Sequence, residues 1–238
     1  WQTLAKVSSA PIGPGSRVLF APGDYRGQLS APYAGTAAAP ITFEAQDPLN
    51  PPTLWGSDIL TGWVSSGIGA DCYQMTTAVV YWMLADHEFL LSVASTALVA
   101  STPGSWTYSG GVVYVHMATD PSASVMTGCR RENVIYSNWN SHLIFRGFVV
   151  KETARADNGY GVLIQNSTNV LLEDIVAQEC GKHAIGIISA DATVRRCSGG
   201  RMAPEQGFGG ATTFVHYASV GALETVWEDC VSDTGDNS

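Results

Sequence analysis

Charge of either sign is scarce in this chain. Only 14% of its 238 residues are charged, and lysine occurs only at Lys6, Lys151 and Lys182. The arginines are scattered apart from the pairs Arg130-Arg131 and Arg195-Arg196, and the net charge is −9. A surface of that sign repels a phosphate backbone and offers no basic stripe, which excludes nucleic acid as a partner. Long apolar runs are missing too: none reaches the roughly 18 residues that a membrane-crossing helix needs. No CxxC occurs among the five cysteines, which removes zinc ribbons and thioredoxin-like motifs. Cys72 and Cys129 flank one segment, and nothing in the sequence fixes whether they lie close enough to pair. The chain opens at Trp1 with no signal-like apolar stretch, so its localisation is inferred only indirectly.

What is present is an apolar composition, 45% hydrophobic, with 25 glycines and recurrent Ser, Thr and Ala, a mixture suited to β-structure with many tight turns. Repeats are the first thing to look for in such a chain. Phe145-Arg146-Gly147-Phe148-Val149, Leu172-Glu173-Asp174-Ile175-Val176, Val194-Arg195-Arg196-Cys197-Ser198 and Trp227-Glu228-Asp229-Cys230-Val231 are four copies of one apolar-polar-polar-apolar unit. Their marker residues Phe148, Ile175, Cys197 and Cys230 lie 27, 22 and 33 residues apart. Each marker is expected to point inward beside its counterpart in the next coil. Cys180, Cys197 and Cys230 then read as small core residues.

A second strand precedes each marker in the same order: Gly161 to Ile164, Ala184 to Ile188, and Thr212 to His216. Polar turns such as Asn166-Ser167-Thr168-Asn169 separate the strands. An antiparallel sandwich has no reason to repeat a multi-strand unit in fixed order, so the pattern predicts an all-β chain wound as a right-handed parallel β-helix. Residues 2 to 7 are expected to form a short amphipathic turn that closes the open end of its core, as solenoid ends require.

The opening segments add a resemblance. Thr3-Leu4-Ala5-Lys6-Val7, Pro14 to Phe20, Pro22-Gly23-Asp24-Tyr25-Arg26-Gly27, and Ala39-Pro40-Ile41-Thr42-Phe43 resemble the first coils of the bacterial and phage right-handed β-helix, pectin-lyase-like superfamily. The likeness covers about residues 1 to 62 and 140 to 238. It implies the fold, not a substrate. Residues 65 to 135 break the ladder. They are aromatic-rich and alternating, with a Ser109-Gly110-Gly111 hairpin signal before Val112 to His116. The expected division is therefore 1 to 64 for the cap and first coils, 65 to 135 for an inserted antiparallel β-subdomain, and 136 to 238 for further coils. The last of these, ending partway through a coil, is expected to be covered by more chain or by a subunit.

Members of that superfamily work on polymers in a groove across successive coils. Its lyases use Lys or Arg as base and neutralise a uronate carboxylate, whereas its hydrolases use paired Asp or Glu. In this sequence the segments placed to line such a groove are Lys151 to Gln165, Glu179 to Ser189 and Gly199 to Tyr217. Lys182, His183, Arg201 and His216 are the candidate catalytic residues of a lyase-like site. Asp157, Asn158, Glu179, Glu205, Tyr217 and the insert's Trp106 are the candidate substrate contacts. The bland reading is that these are solvated turn residues, strand-end imidazoles and, for Trp106, subdomain core. No metal site is called and no cofactor is expected, although Asp157-Asn158-Gly159 and Asp233 to Asn237 have the hard oxygen donors that Ca2+ prefers. Gly207-Phe208-Gly209-Gly210 lacks the Lys-Ser/Thr of a phosphate loop.

Two functions from different classes remain. One is a secreted polysaccharide lyase or glycoside hydrolase. The other is a non-catalytic virion or surface β-helix that binds glycans or partner subunits.

Overall fold

The computed structural model describes residues 3–31, 33–154, 159–202, 212–217 and 224–233. By its internal contacts the chain divides into two compact units, Ser57–Arg130 and the rest, Trp1–Gly56 with Arg131–Ser238.

The larger unit is a three-sided coil. A six-stranded first sheet holds Arg17–Phe20, Ile41–Ala45, Leu143–Arg146, Val170–Glu173, Ala192–Arg195 and Thr225–Glu228, stacked in that order. A six-stranded second sheet holds Asp24–Arg26, Thr53–Trp55, Val149–Lys151, Val176–Gln178, Ser198–Gly200 and Val231–Asp233. The third has five strands: Leu29–Ser30, Asn133–Asn138, Tyr160–Gln165, His183–Ile188 and Thr212–Tyr217. Every pairing within these sheets is parallel.

The expected marker column is present. Phe148, Ile175 and Cys197 are buried in one core with Cys230 packed against it. Val176 N–H donates to the Phe148 carbonyl, Ser198 N–H to Ile175 and Val231 N–H to Cys197, each at 2.8–2.9 Å. Burial pushes the Cys180 and Cys197 thiols up to about 12, which fits inert core residues. The amphipathic turn at the front is the helix Leu4–Ser8, capped by Thr3, with Leu4 and Val7 in the same core.

One residue turns each corner between the first and second sheets. In consecutive coils it is Gly147, Asp174, Arg196 and Asp229, all with φ between 48° and 71°. The polar excursion inside each sequence repeat is this left-handed corner, which Gly and Asp tolerate best.

Outside the first sheet the corner's neighbours form an alternating charge ladder, Glu44, Arg146, Glu173, Arg195 and Glu228, matched coil to coil by register. Arg146 and Arg195 both contact Glu173, and Arg196 Nη2 lies 2.8 Å from it. Burial alone would raise the Glu173 carboxyl, but hydrogen bonds from Arg146 and Arg196 and their charges outweigh it and hold the group below the usual glutamate value. A depressed carboxylate contributes stability above its unfolded value and loses it as pH falls through the folded one. Melting temperature is therefore expected to drop as pH falls below about 4, and Glu173→Gln to flatten that slope. Equal slopes for the two proteins would remove Glu173 as a cause of acid sensitivity.

Ser57–Arg130 departs from the chain between strands Thr53–Trp55 and Asn133–Asn138. It contains two largely antiparallel sheets around a core that includes Trp63, Met83, Trp106 and Val113. Ser105–Ser109 and Val112–His116 form the expected hairpin, with φ of 59° at Gly110 and 86° at Gly111. Asn133 to Ile135, expected in this antiparallel part, instead belong to a parallel third-sheet strand. Cys72 and Cys129 are not joined by a disulfide. No helix among the described residues is long and apolar enough to cross a membrane.

Candidate functional site

The second sheet meets the third at the corner where the coils differ most in length. The last second-sheet residues, Arg26, Trp55, Lys151, Gln178 and Gly200, form one column by register. The residues immediately after them are Gly27, Gly56, Glu152, Glu179 and Arg201, and φ is 55°, 55° and 48° at the last three. Backbone bonds tie this column together, including Gly56 N–H to Lys151 and Glu179 N–H to Arg201, both 2.8 Å. A side chain at Gly56 would sit 2.6 Å from the Glu152 carbonyl, so glycine is required where the backbones approach. Left-handed residues occur at the other corners too, so here they reflect architecture rather than a reaction.

The side chains of this corner are organised by charge. The Trp55 ring has the Arg26 guanidinium 4.9 Å from its centre on one neighbour and the Lys151 ammonium at 5.8 Å on the other. Its indole N–H donates to Asp24 at 2.8 Å. Lys151 Nζ lies 3.8 Å from Glu179, and Arg201 Nη1 lies 3.3 Å from the other Glu179 oxygen. Glu152 and Glu179 bring carboxylate oxygens within 4.8 Å of each other, and both residues are buried. Two negative charges at that distance repel by about 3–4 kcal/mol at an effective dielectric constant of about 20. Lys151 and Arg201, both within 4 Å of Glu179, offset that repulsion.

No family model matches the sequence. No curated protein matches it either. Solved structures do. One is XylC in complex with xylose, with a TM-score of 0.72 and 12% identity over 84% of this chain and 47% of that one. Another is a glycoside hydrolase, with a TM-score of 0.58 and 9% identity over 79% of this chain and 60% of that one. This chain has the parallel β-helix fold. It spans about half the length of the first of these structures, and at such identities the likeness is one of fold.

The β-helix distributes the sequence-predicted residues over two ends of the third sheet. Lys182, His183 and Arg201 lie at the corner just described. His183 is buried, its ring 4.9 Å from that of Tyr160, and Tyr160 in turn fills the space above Gly186, where a Cβ would come within 2.4 Å of it. Burial, followed by the charge of Tyr217, raises the Tyr160 hydroxyl. His216 does not join them. It is paired with Ile187 in the column of Ser137 and Ile164, four residues along the strand from the position opposite His183, or about 13 Å. Ser137, Ile164 and Ile187 in that column are buried, whereas His216 is exposed, well away from the corner that holds Lys182, His183 and Arg201.

Of the expected substrate contacts, Glu179 is the hub of the charge cluster. Tyr217 is 53% exposed at the far end of the third sheet, and Trp106 is buried in the core of the Ser57–Arg130 unit, with no open face for a sugar. Asp157, Asn158 and Glu205 lie outside the described residues, as do the Asp157-Asn158 turn and most of the last Asp-rich turn considered for Ca2+. Two features lie outside the expected set. Lys151 and Glu152 complete the cluster, and Trp139, 75% exposed, stands at the corner between third and first sheets. Glu152, Glu179 and Arg201 each fall four residues after the markers Phe148, Ile175 and Cys197, a spacing that identifies the column from sequence.

Proposed function

We propose that the protein is carbohydrate-directed and that Glu152 and Glu179 are the carboxylate pair of a retaining glycoside hydrolase, one as general acid/base and the other as nucleophile. The observation that carries this reading is the pair itself: two carboxylates from consecutive coils with oxygens within 4.8 Å, and Lys151 and Arg201 both turned to one of them. A lyase needs its cations turned to the uronate, whereas these two are turned to Glu179. The naming of one structural neighbour as a glycoside hydrolase and the xylose bound by the other support a sugar substrate. A structural polysaccharide of a cell wall or capsule lies outside the cell membrane, and such a substrate would call for a secreted, surface or virion setting.

Carboxyl groups about 5–5.5 Å apart belong to retaining glycosidases, and a wider gap of about 6.5–9.5 Å to inverting ones. The expected result is new reducing ends from a neutral polysaccharide such as xylan or β-glucan, with NMR showing retained anomeric configuration. Alginate and polygalacturonate serve as the acidic arm. UV-absorbing unsaturated ends from either would establish a lyase and end the hydrolase reading. The second reading, a non-catalytic glycan-binding β-helix, is favoured by the burial of both carboxylates. Sugar binding with no cleavage of any of the four polymers would select it.

A further inference from the structure

The outer face of the first sheet carries a groove of about 410 Å3 that crosses three coils of the helix. The residue just before each strand forms one rim: His142, Asn169 and Asp191, in register because Leu143, Val170 and Ala192 are paired. Asn169 is exposed and the other two are half-buried. The floor is the outward column Ile144, Leu171 and Thr193, also paired coil to coil. The opposite rim is Arg195, with its guanidinium against Glu173 and Glu228. Thr36 and Pro40 close one end.

We propose that this groove is a second, non-catalytic saccharide site that binds a neutral oligosaccharide lying across the coils. An apolar floor suits the C–H faces of pyranose rings. An imidazole, an amide and a carboxylate, one per coil at a rise of about 4.8 Å, present hydrogen-bonding groups to successive sugar hydroxyls. The volume lies in the range of small-ligand sites, which also pair an apolar lining with a few placed polar groups.

Charge selects the class of sugar. Glu173 and Glu228 already cancel Arg195, while Asp191 on the facing rim adds a negative charge that opposes a uronate. The site stands on this groove alone and does not depend on the carboxylate pair at the other corner.

Calorimetric titration of the full chain with xylohexaose and cellohexaose, against oligogalacturonate and oligomannuronate, tests it. Binding of at least one neutral hexaose is expected, with no measurable heat from the uronates. Leu171→Arg, which fills the floor, and the milder Asp191→Asn are each expected to weaken that binding at least tenfold with melting temperature unchanged. Glu179→Gln is expected to leave it intact, which separates this site from the hydrolase reading. Absence of neutral-sugar binding, preference for the uronates, or unchanged affinity in both groove variants would overturn the proposal. Loss of binding in Glu179→Gln alone would place the sugar at the other corner and overturn it equally.

Discussion

Ile175→Asp is expected to leave the coil unfolded. Ile175 sits in the marker column between Phe148 and Cys197 with no exposed surface, and its carbonyl accepts from Ser198 in the next coil. Among the described residues the core around it holds no cation for a carboxylate to pair with. An uncompensated buried charge costs several kcal/mol after relaxation, against a total stability of about 5–15 kcal/mol. In a solenoid each coil supports only its neighbours, so the loss at one rung removes the platform for the next. Two controls fix the cause. Ile175→Val should cost about 0.5–1.5 kcal/mol. Asp174→Asn, one residue away on the exposed corner, should cost no more than about 1 kcal/mol, since it weakens a surface pair with Arg196 and keeps a residue tolerant of left-handed φ. Circular dichroism and protease resistance read the outcome. A wild-type melting curve for Ile175→Asp would mean the column does not face the core.

Much of this ladder was legible because a parallel coil repeats its requirements. The inward marker must be apolar in every turn and the residue before it must accept left-handed φ, so both recur whatever the corner lengths are. Corner length itself is free: Glu179 to Lys182 suffices in one coil, while Ser57–Arg130 occupies the same corner in another. That freedom is why the end of the antiparallel unit was misplaced by a few residues near Asn133.

The functional residues were harder, because which side a strand residue faces depends on register rather than on chemistry. His216 looks like a partner of Lys182 and Arg201 until its pairing with Ile187 places it four residues along the strand from their corner. Trp106 sits in a strand that alternates apolar and polar residues, and only the packing of its own unit shows that Trp106 is buried together with its neighbours Ser105 and Thr107. Glu152 was within reach, since it repeats the offset of Glu179 from the marker. Charge complementarity between Lys151, Glu179 and Arg201 was not, because it requires knowing that their coils are adjacent.

Glu179→Gln is expected to reduce sugar-polymer cleavage by about 10²–10⁴-fold, the range typical of losing a general acid or base. The substitution keeps the shape of the side chain and removes its charge, which also strips Lys151 and Arg201 of a partner. A stability effect must therefore be separated from a chemical one. Breaking a fully buried pair costs about 3–5 kcal/mol, but here the Lys151 side chain is 23% and the Arg201 side chain 44% exposed, so both can turn to water and the loss should be smaller. The decisive readout is a fall in kcat with KM and melting temperature nearly unchanged, which a structural brace would not produce. Glu152→Gln should give a loss of similar size, because the two groups act as one unit and the effects should not add in the double variant. If one of the pair attacks the sugar, replacing it with alanine opens space for a small anion. Azide should then restore turnover and appear in the product as the glycosyl azide. Should Glu179→Gln lower stability while the remaining folded fraction keeps full kcat, the cluster is a structural brace and the non-catalytic reading holds.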